Sequence, residues 1–273
     1  MMKNILIPVD FSEVSWNAVY CAICHFKDDT IQFYIAHIES PPTTSEENGS
    51  LVIHKNIANH KKLQQWVTKA TKLATPKQQI IPLEKTGHFI HTLRDIVKNY
   101  TINLIVIGTQ QSNVFEDTLV GSYTREIITR IKQPVLIVPQ EVPCPTPKQI
   151  ALITDFNFKH NRKALQLISE ITSVRNAHLS ILNLIKQEGF INENQAENKK
   201  SLQENFANLD HSFHFVVNQT MDEALQFFIN VQNVDLIILF AKNMNFSEHL
   251  LYSPSTDATI SYHKHIPFLI VHE

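Results

Sequence analysis

The chain has 273 residues, of which 43% are hydrophobic, and its 24 Lys+Arg against 26 Asp+Glu give a formal net charge of −2. This length suits one large domain or two ordinary domains, and the apolar content excludes a disordered chain. The near-neutral charge balance disfavours general nucleic-acid binding. No apolar run approaches the roughly 18 residues of a membrane span, and the first residues show no signal-peptide pattern. We therefore expect a soluble, cytoplasmic protein that binds neither nucleic acid nor a membrane.

The sequence carries one pattern twice. Three blocks recur in the same order: Lys3–Ser12 with Gln149–Asn157, Asn103–Gly108 with Asp235–Phe240, and Gln133–Val138 with Ile266–Val271. Repetition in a fixed order indicates two copies of one domain. Between the copies, four prolines from Pro139 to Pro147 cannot continue a helix or a central strand. We predict one domain at residues 1–140 and a second at residues 148–273.

Short apolar runs alternate with segments of helical spacing in each copy. The first copy predicts strands at 5–9, 31–38, 79–83, 104–107 and 135–138, with helices near 13–26, 50–74, 89–100 and 122–132. The second copy predicts strands near 149–154, 178–184, 213–217, 235–239 and 267–271. This alternation indicates an α/β fold of two tandem Rossmann-like domains, each a five-stranded parallel sheet flanked by helices. Such sheets bind ligands beyond the carboxyl ends of their strands, so the residues directly after each strand are candidates.

Asp10 directly follows the first predicted strand. Its carboxylate could accept hydrogen bonds from a ribose or a base. Alternatively, Asp10 with Glu13 three residues later could form a capping box at the start of the next helix, and the spacing favours this cap. Asp155 repeats the position in the second copy, where Asn157 is an equally good cap.

The connection after the fourth strand is unusually long. It runs for about a dozen residues from Gly108 to Gly121, whereas strand-to-helix loops usually take roughly 2–6 residues. A glycine at the strand end lets the backbone approach a bulky anion, and a helix that begins near Ser122 offers free amides and a positive dipole end to a phosphate. The alternative is that both glycines are ordinary turn residues.

Cysteines and histidines form patterns that need a separate interpretation. Cys21 and Cys24 belong to a C-x-x-C-H string, which is typical of haem attachment or of redox motifs, but they also continue the apolar stripe of the first helix. We predict that they are buried core residues, and three cysteines make no disulfide framework. Three close histidine pairs occur, namely His88 with His91, His211 with His214, and His263 with His265. None has the cysteine or carboxylate partners of a closed zinc site nearby, so we predict no metal site.

The sequence offers no recognisable catalytic motif. It contains no nucleophile elbow, P-loop lysine, H-E-x-x-H or dinucleotide fingerprint. No nucleophile and base can be paired from spacing alone. We therefore predict no catalytic residues and no enzyme, and leave slow, incidental turnover of a bound ligand open.

Four segments together resemble the universal stress protein family: Pro8–Asp10, Leu104–Thr109, Gly121–Ser122 and Gln133–Pro139. The resemblance covers nearly all of the first copy, and in the second copy its opening strand, residues 236–238 and its end. The chain as a whole is similar to the tandem form of the family. The resemblance implies an adenine nucleotide alpha hydrolase-like fold in each domain.

The resemblance also implies an adenine-nucleotide site in the first copy, for ATP with Mg²⁺ as a companion. ATP-binding members carry G-x2-G-x9-G-[ST], and this chain keeps that spacing with Gln111 in place of the middle glycine. Asp10 would contact the nucleoside and Ile38 would flank the base. The full implied set is Pro8, Asp10, Ile38, Gly108, Gln111, Gly121 and Ser122. The side chain of Gln111 could either fill the phosphate cradle or donate its amide to a phosphate.

The second copy departs further from the family pattern. Phe240 replaces the first glycine, and Tyr252–Thr256 carries a proline and no glycine in the region of the anion cradle. We predict that this copy binds no nucleotide and has a structural role. Single-domain members of the family pair through their last strands, which implies that Val135–Val138 pairs with Pro267–Val271 in an internal pseudo-dimer. A homodimer of the whole chain stays open.

Three hypotheses of function follow from these patterns, the third being an enzyme that hydrolyses another ligand in the crevice, for which no residue can be named. The first is a stress-response protein that acts as a binding and signalling module, with an adenine-nucleotide site in the first domain only. The second is an interaction protein in which both crevices are closed to nucleotide.

Overall fold

The computed structural model describes residues 4–41, 49–109, 122–140, 142, 146–185, 191–217, 221–241 and 265–272. The elements of the first half are β1 (Asn4–Pro8), α1 (Glu13–His25), β2 (Ile31–Glu39), α2 (Gly49–Leu73), β3 (Gln78–Thr86), α3 (Phe89–Asn99), β4 (Leu104–Thr109), α4 (Ser122–Arg130) and β5 (Val135–Pro139). Those of the second half are β6 (Gln149–Ile153), α5 (Arg162–Arg175), β7 (His178–Ile185), α6 (Glu193–Asn205), β8 (His211–Val217), α7 (Met221–Gln232), β9 (Leu236–Phe240) and β10 (Phe268–Val271).

All described strands join one ten-stranded sheet in the order β3-β2-β1-β4-β5-β10-β9-β6-β7-β8. Strand pairs within each half are parallel, and both halves follow the same order from their outer to their inner strand. The halves meet where β5 runs antiparallel to β10, with Phe268 opposite Ile137 and Leu269 opposite Leu136. The predicted α/β fold with tandem Rossmann-like halves is confirmed, and so is the predicted pairing of these two strands.

Helices cover both faces of the sheet and enclose two apolar layers. Ile5 and Ile7 belong to the layer under α1 and α2, whereas Leu6 between them belongs to the layer under α3 and α4. All three side chains are fully buried. Because successive side chains of a strand point to opposite faces, a strand that is covered on both faces must be apolar throughout. This explains the short, unbroken apolar runs of the sequence.

Candidate functional site

The carboxyl ends of β1, β2 and β4 lie side by side in the sheet. β1 is hydrogen-bonded to β2 on one side and to β4 on the other. The Val9 amide continues the pairing by donating to the Ala36 carbonyl over 2.8 Å. Asp10, Ile38 and Gly108 therefore lie on three adjacent strand ends, where a parallel sheet with this strand order has its ligand crevice.

Asp10 organises the turn between β1 and α1. Its Oδ1 accepts hydrogen bonds from the Ser12 amide over 3.0 Å, the Ser12 hydroxyl over 2.6 Å and the Ser15 hydroxyl over 2.7 Å. Phe11 has a left-handed backbone with φ 67°, which lets the carboxylate reach the amide two residues on. The helix cap is Ser12, whose hydroxyl accepts from the Ser15 amide over 3.2 Å. The prediction that Asp10 caps α1 was therefore wrong.

The Asp10 carboxylate is held in its ionised form with one oxygen open. Burial by itself raises the pKa of Asp10, but the hydrogen bonds from Ser12 and Ser15 outweigh it and hold this pKa below its ordinary value. All of these bonds converge on Oδ1, and none of the described residues donates to Oδ2. The exposed carboxylate can therefore accept a hydrogen bond from a ligand through Oδ2.

Asp155 builds the same turn in the second half. Its Oδ1 accepts from the Asn157 amide over 3.0 Å, and Phe156 has φ 58°. The cap of α5 is Asn161, which accepts from the Ala164 amide over 2.8 Å. Asn157 is thus not the cap that the sequence suggested. α5 begins later relative to Asp155 than α1 begins relative to Asp10, so the connection before α5 is longer.

Gly108 lies directly against the first turn of α1. A Cβ atom added at Gly108 would stand 2.4 Å from the carbonyl oxygen of Val14 and 2.9 Å from its carbonyl carbon. Because these are backbone atoms, neither can move without shifting the helix. Close packing of α1 on β4 is therefore sufficient to require a glycine here, a reason that the sequence patterns did not suggest.

The substitution Gly108→Ala is expected to lower the free energy of unfolding by about 1–3 kcal/mol, because the added methyl group pushes α1 away from β4. Urea denaturation would measure the loss. Ile107→Val, one residue earlier in the same buried strand, is a suitable reference and should cost about 1 kcal/mol. A Gly108→Ala protein as stable as the wild type would contradict the packing argument.

The equivalent position in the second half is occupied by aromatic rings. Phe240, which is 3% exposed, stands where the first half has Gly108. Its ring stacks on the His160 ring with the centroids 3.6 Å apart and the planes 12° from parallel. His160 comes from the longer connection before α5. The side chains of the chain itself thus fill the space beside the end of β9.

A separate open groove of ≈ 520 Å³ lies along α1 and α2. Trp16 and Trp66 form part of its wall in an edge-to-face pair at 5.1 Å, and the ammonium of Lys69 lies 3.8 Å from the Trp16 ring. Phe11 also lines this groove. Asp10, Ile38 and Gly108 do not line this groove, so it is distinct from the crevice at the strand ends.

Several predicted residues lie outside the described part of the chain. Gln111 and Gly121 are among them, and so is Tyr252–Thr256; Ser122 begins α4, but its side chain is not described. The described candidates of the nucleotide set are Pro8, Asp10, Ile38 and Gly108. Their roles toward a ligand stay predictions.

The cysteines and histidines differ in part from their sequence interpretation. Cys21 is buried as predicted but is disulfide-bonded, which the sequence did not indicate. Cys24 is a free thiol that is only half-buried, so the prediction of a buried core residue was wrong for it. His211 bonds to the Leu209 carbonyl and His214 bonds to Ser212, so the two histidine side chains do not converge.

In the part of the chain that is described, no cluster of three or more His, Cys, Asp or Glu side chains could hold a metal. Within the same ranges, no helix is long and apolar enough to cross a membrane.

Comparisons with known proteins agree with this architecture. The Universal stress protein family matches residues 1–139. A universal stress protein from Archaeoglobus fulgidus DSM 4304 superposes with a TM-score of 0.71 at 14% identity, covering 98% of both chains. A putative universal stress protein from Pseudomonas aeruginosa UCBPP-PA14 superposes with a TM-score of 0.55 at 11% identity, covering 99% of this chain and 93% of the other. These structures share the fold. No curated protein matches the chain.

Proposed function

Since the chain belongs to the universal stress protein family, we propose that it is a stress-response binding module whose first half holds an adenine nucleotide. The proposed contacts are Pro8, Asp10, Ile38, Gly108, Gln111, Gly121 and Ser122. The observation that carries the proposal is the Asp10 carboxylate, which is ionised, follows the end of β1 and has an Oδ2 to which none of the described residues donates. Mg²⁺ would bind only together with the nucleotide, through its phosphates.

The groups around Asp10 suit the separate parts of a nucleotide. A carboxylate oxygen with no donor of its own among the described residues is a good acceptor for a ribose hydroxyl. Ile38 is half-buried against the apolar layer under α3 and α4, so it offers an apolar surface to a base. α4 begins at Ser122, and the free amides at the start of a helix favour a phosphate.

We propose that the second half binds no nucleotide and serves as a structural partner of the first. The stacked Phe240 and His160 rings occupy the position that Gly108 leaves clear in the first half. The antiparallel contact of β5 with β10 supports an internal pseudo-dimer of two domains, at residues 1–140 and 148–273. The function of the nucleotide site would then be binding rather than turnover.

Titration calorimetry with ATP tests the site, and the internal repeat supplies its control. Asp10→Asn is expected to weaken binding about tenfold, because a neutral amide is a weaker acceptor for a ribose hydroxyl. Asp155→Asn changes the same turn in the second half and should leave the affinity unchanged. Gly121→Trp should abolish binding by filling the phosphate region. A wild-type protein that gives no heat with ATP would refute the assignment, as would equal losses from both aspartate substitutions.

The second hypothesis, an interaction protein with both crevices closed, is favoured by one observation. Gly108 is required by the packing of α1, so its presence needs no ligand to explain it. The two hypotheses differ in their expectation for Gln111→Gly. If the wild type binds no ATP and this variant does, the side chain of Gln111 closes the crevice and the second hypothesis holds.

A further inference from the structure

A chain of hydrogen bonds joins four polar side chains at the amino ends of β7 and β8. Asp210 Oδ2 lies 3.0 Å from His178 Nδ1, and His178 Nε2 lies 2.7 Å from the hydroxyl oxygen of Ser212. His214 Nε2 approaches the same hydroxyl over 2.7 Å. The proposed nucleotide contacts stand at carboxyl strand ends of the other half, so this cluster is a different place in the molecule.

The backbone fixes the relative positions of these side chains. β7 and β8 are parallel, with Ser180 opposite Ser212. The Leu179 amide donates to the Asp210 carbonyl over 2.9 Å, which holds Asp210 beside His178. In the described part of the sheet β8 is an edge strand that pairs with β7. The His178 side chain is 24% exposed and that of Asp210 79% exposed, so the cluster can be reached from solvent.

For a neutral His178, the hydrogen-bond partners fix which atom carries each proton. A carboxylate can only accept, so His178 Nδ1 must carry the hydrogen that points to Asp210. In the neutral imidazole Nε2 is then an acceptor, and it takes the hydroxyl proton of Ser212. The Ser212 oxygen can therefore accept the N–H of His214. All three hydrogen bonds are satisfied at once in this arrangement, which is that of a serine nucleophile beside an oriented base.

We propose that Ser212 is a nucleophile toward carboxylic esters. Its oxygen attacks the ester carbonyl carbon while its proton passes to His178 Nε2, and the alcohol leaves with that proton as the carbon–oxygen bond breaks. Water then attacks the acyl-serine, gives one proton to His178 and releases the acid, and the proton returns to Ser212. Ester and water thus yield acid and alcohol. Asp210 acts through His178 and is a positioning residue.

His214 supplies a neutral donor beside the attacking oxygen. Burial, and to a lesser degree the neighbouring His178, lowers the pKa of His214, so its ring is uncharged near neutral pH. A neutral imidazole N–H can polarise a carbonyl group without carrying a proton away. Its 2.7 Å contact with the Ser212 hydroxyl holds this N–H next to the attacking oxygen. We assign to it the donor role toward the ester carbonyl oxygen, which becomes negative during attack.

The first half does not repeat this arrangement. Gln32 faces Asn4 across the sheet as His178 faces Gln149. Gln32 donates to the Gln79 side chain over 3.1 Å, so an amide pair occupies the place of the histidine and the aspartate. The proposed reactivity therefore belongs to the second half and is independent of nucleotide binding in the first.

Incubation of the full chain with p-nitrophenyl acetate tests the proposal. The expected result is a burst of p-nitrophenolate followed by slower turnover, with an acetyl group found on Ser212 by peptide mass spectrometry. Ser212→Ala should abolish the burst. Ser180→Ala, a serine on the neighbouring strand with no histidine contact among the described bonds, should keep it. The proposal is overturned if Ser212→Ala reacts like the wild type, or if the acetyl group is found only on other residues.

Acylation kinetics distinguish the role of His178 as the base from that of Asp210 as the positioning residue. His178→Gln should slow acylation about 100-fold, since it removes the proton acceptor. Asp210→Asn should lower the acylation rate constant about tenfold and leave the half-saturating ester concentration unchanged, because it disturbs the orientation of His178 and not the binding of the ester. A merely structural role of Asp210 would instead lower the melting temperature and leave the acylation rate constant of the folded protein at the wild-type value, which would contradict its assignment.

Discussion

Replacing Arg175 with alanine is expected to lower the free energy of unfolding by about 4 kcal/mol. The Arg175 side chain is 4% exposed, and one of its guanidinium nitrogens stands 3.7 Å from an Asp29 oxygen. It also donates to the carbonyls of Ile171 and His25 and lies 4.9 Å from the Phe26 ring. The substitution would remove these hydrogen bonds and the ion pair, and open a cavity between α5 and the end of α1. Urea denaturation followed by circular dichroism would measure the loss.

Two further variants separate the sources of this effect. Arg175→Met fills most of the volume without the charge, so the remaining loss measures the hydrogen bonds and the ion pair. Asp29→Asn keeps Arg175 but weakens its ion pair, and it should cost less than Arg175→Ala. Replacement of a buried ion pair by apolar side chains is neutral in some proteins. A fully stable Arg175→Met variant would show that packing, and not charge, joins α5 to α1.

Acid is expected to destabilise the protein through His25. Burial, and then the positive charge of Arg175, lowers the pKa of His25 from 6.5 to about 3. Below pH 6.5 the unfolded chain binds a proton that the folded chain rejects, so stability falls as the pH falls. This single group should cost about 2 kcal/mol between pH 7 and pH 5. His272, whose pKa is lowered to about 4 by burial and by Lys132, acts in the same direction.

The slope of the free energy of unfolding against pH, measured in variants, tests whether His25 causes the loss of stability in acid. His25→Leu should make the free energy of unfolding less dependent on pH between 7 and 5, because it removes the rejected proton. Gln65→Ala is the control, since Gln65 is exposed on α2 and carries no titratable group, so it should leave the slope unchanged. An unchanged slope in His25→Leu would contradict this account. The two effects are coupled, because loss of the Arg175 charge should itself raise the pKa of His25.

The fold could be predicted because it depends on local patterns. Apolar runs such as Leu104–Ile107 mark strands covered on both faces, and the repeated blocks give the same strand order in both halves. The residues that cap the helices were harder to predict, because they lie within turns. Asp10 and Asn157 have the right residue types for helix caps, but Phe11 turns the chain in a left-handed conformation and delays the start of α1. Spacing along the chain does not reveal such a turn.

The candidate sites were predictable only where they follow strand ends. Asp10 and Gly108 could be found from that rule, although the contact of Gly108 with Val14 depends on tertiary packing. The chain of hydrogen bonds around Ser212 could not be found. His178 and Ser212 are 34 positions apart in the sequence and meet because β7 and β8 are neighbours. The pair His211 and His214, which spacing did suggest, is separated because strand side chains alternate between faces.

The pairing of β5 with β10 makes the contact between the two halves intramolecular. When two separate chains associate, dilution favours dissociation and the melting temperature depends on concentration. A covalent link replaces that dependence with a fixed local concentration set by the length of the connection. The contact between the halves should therefore persist at low protein concentration. Two separate chains with the same contact would dissociate at that concentration.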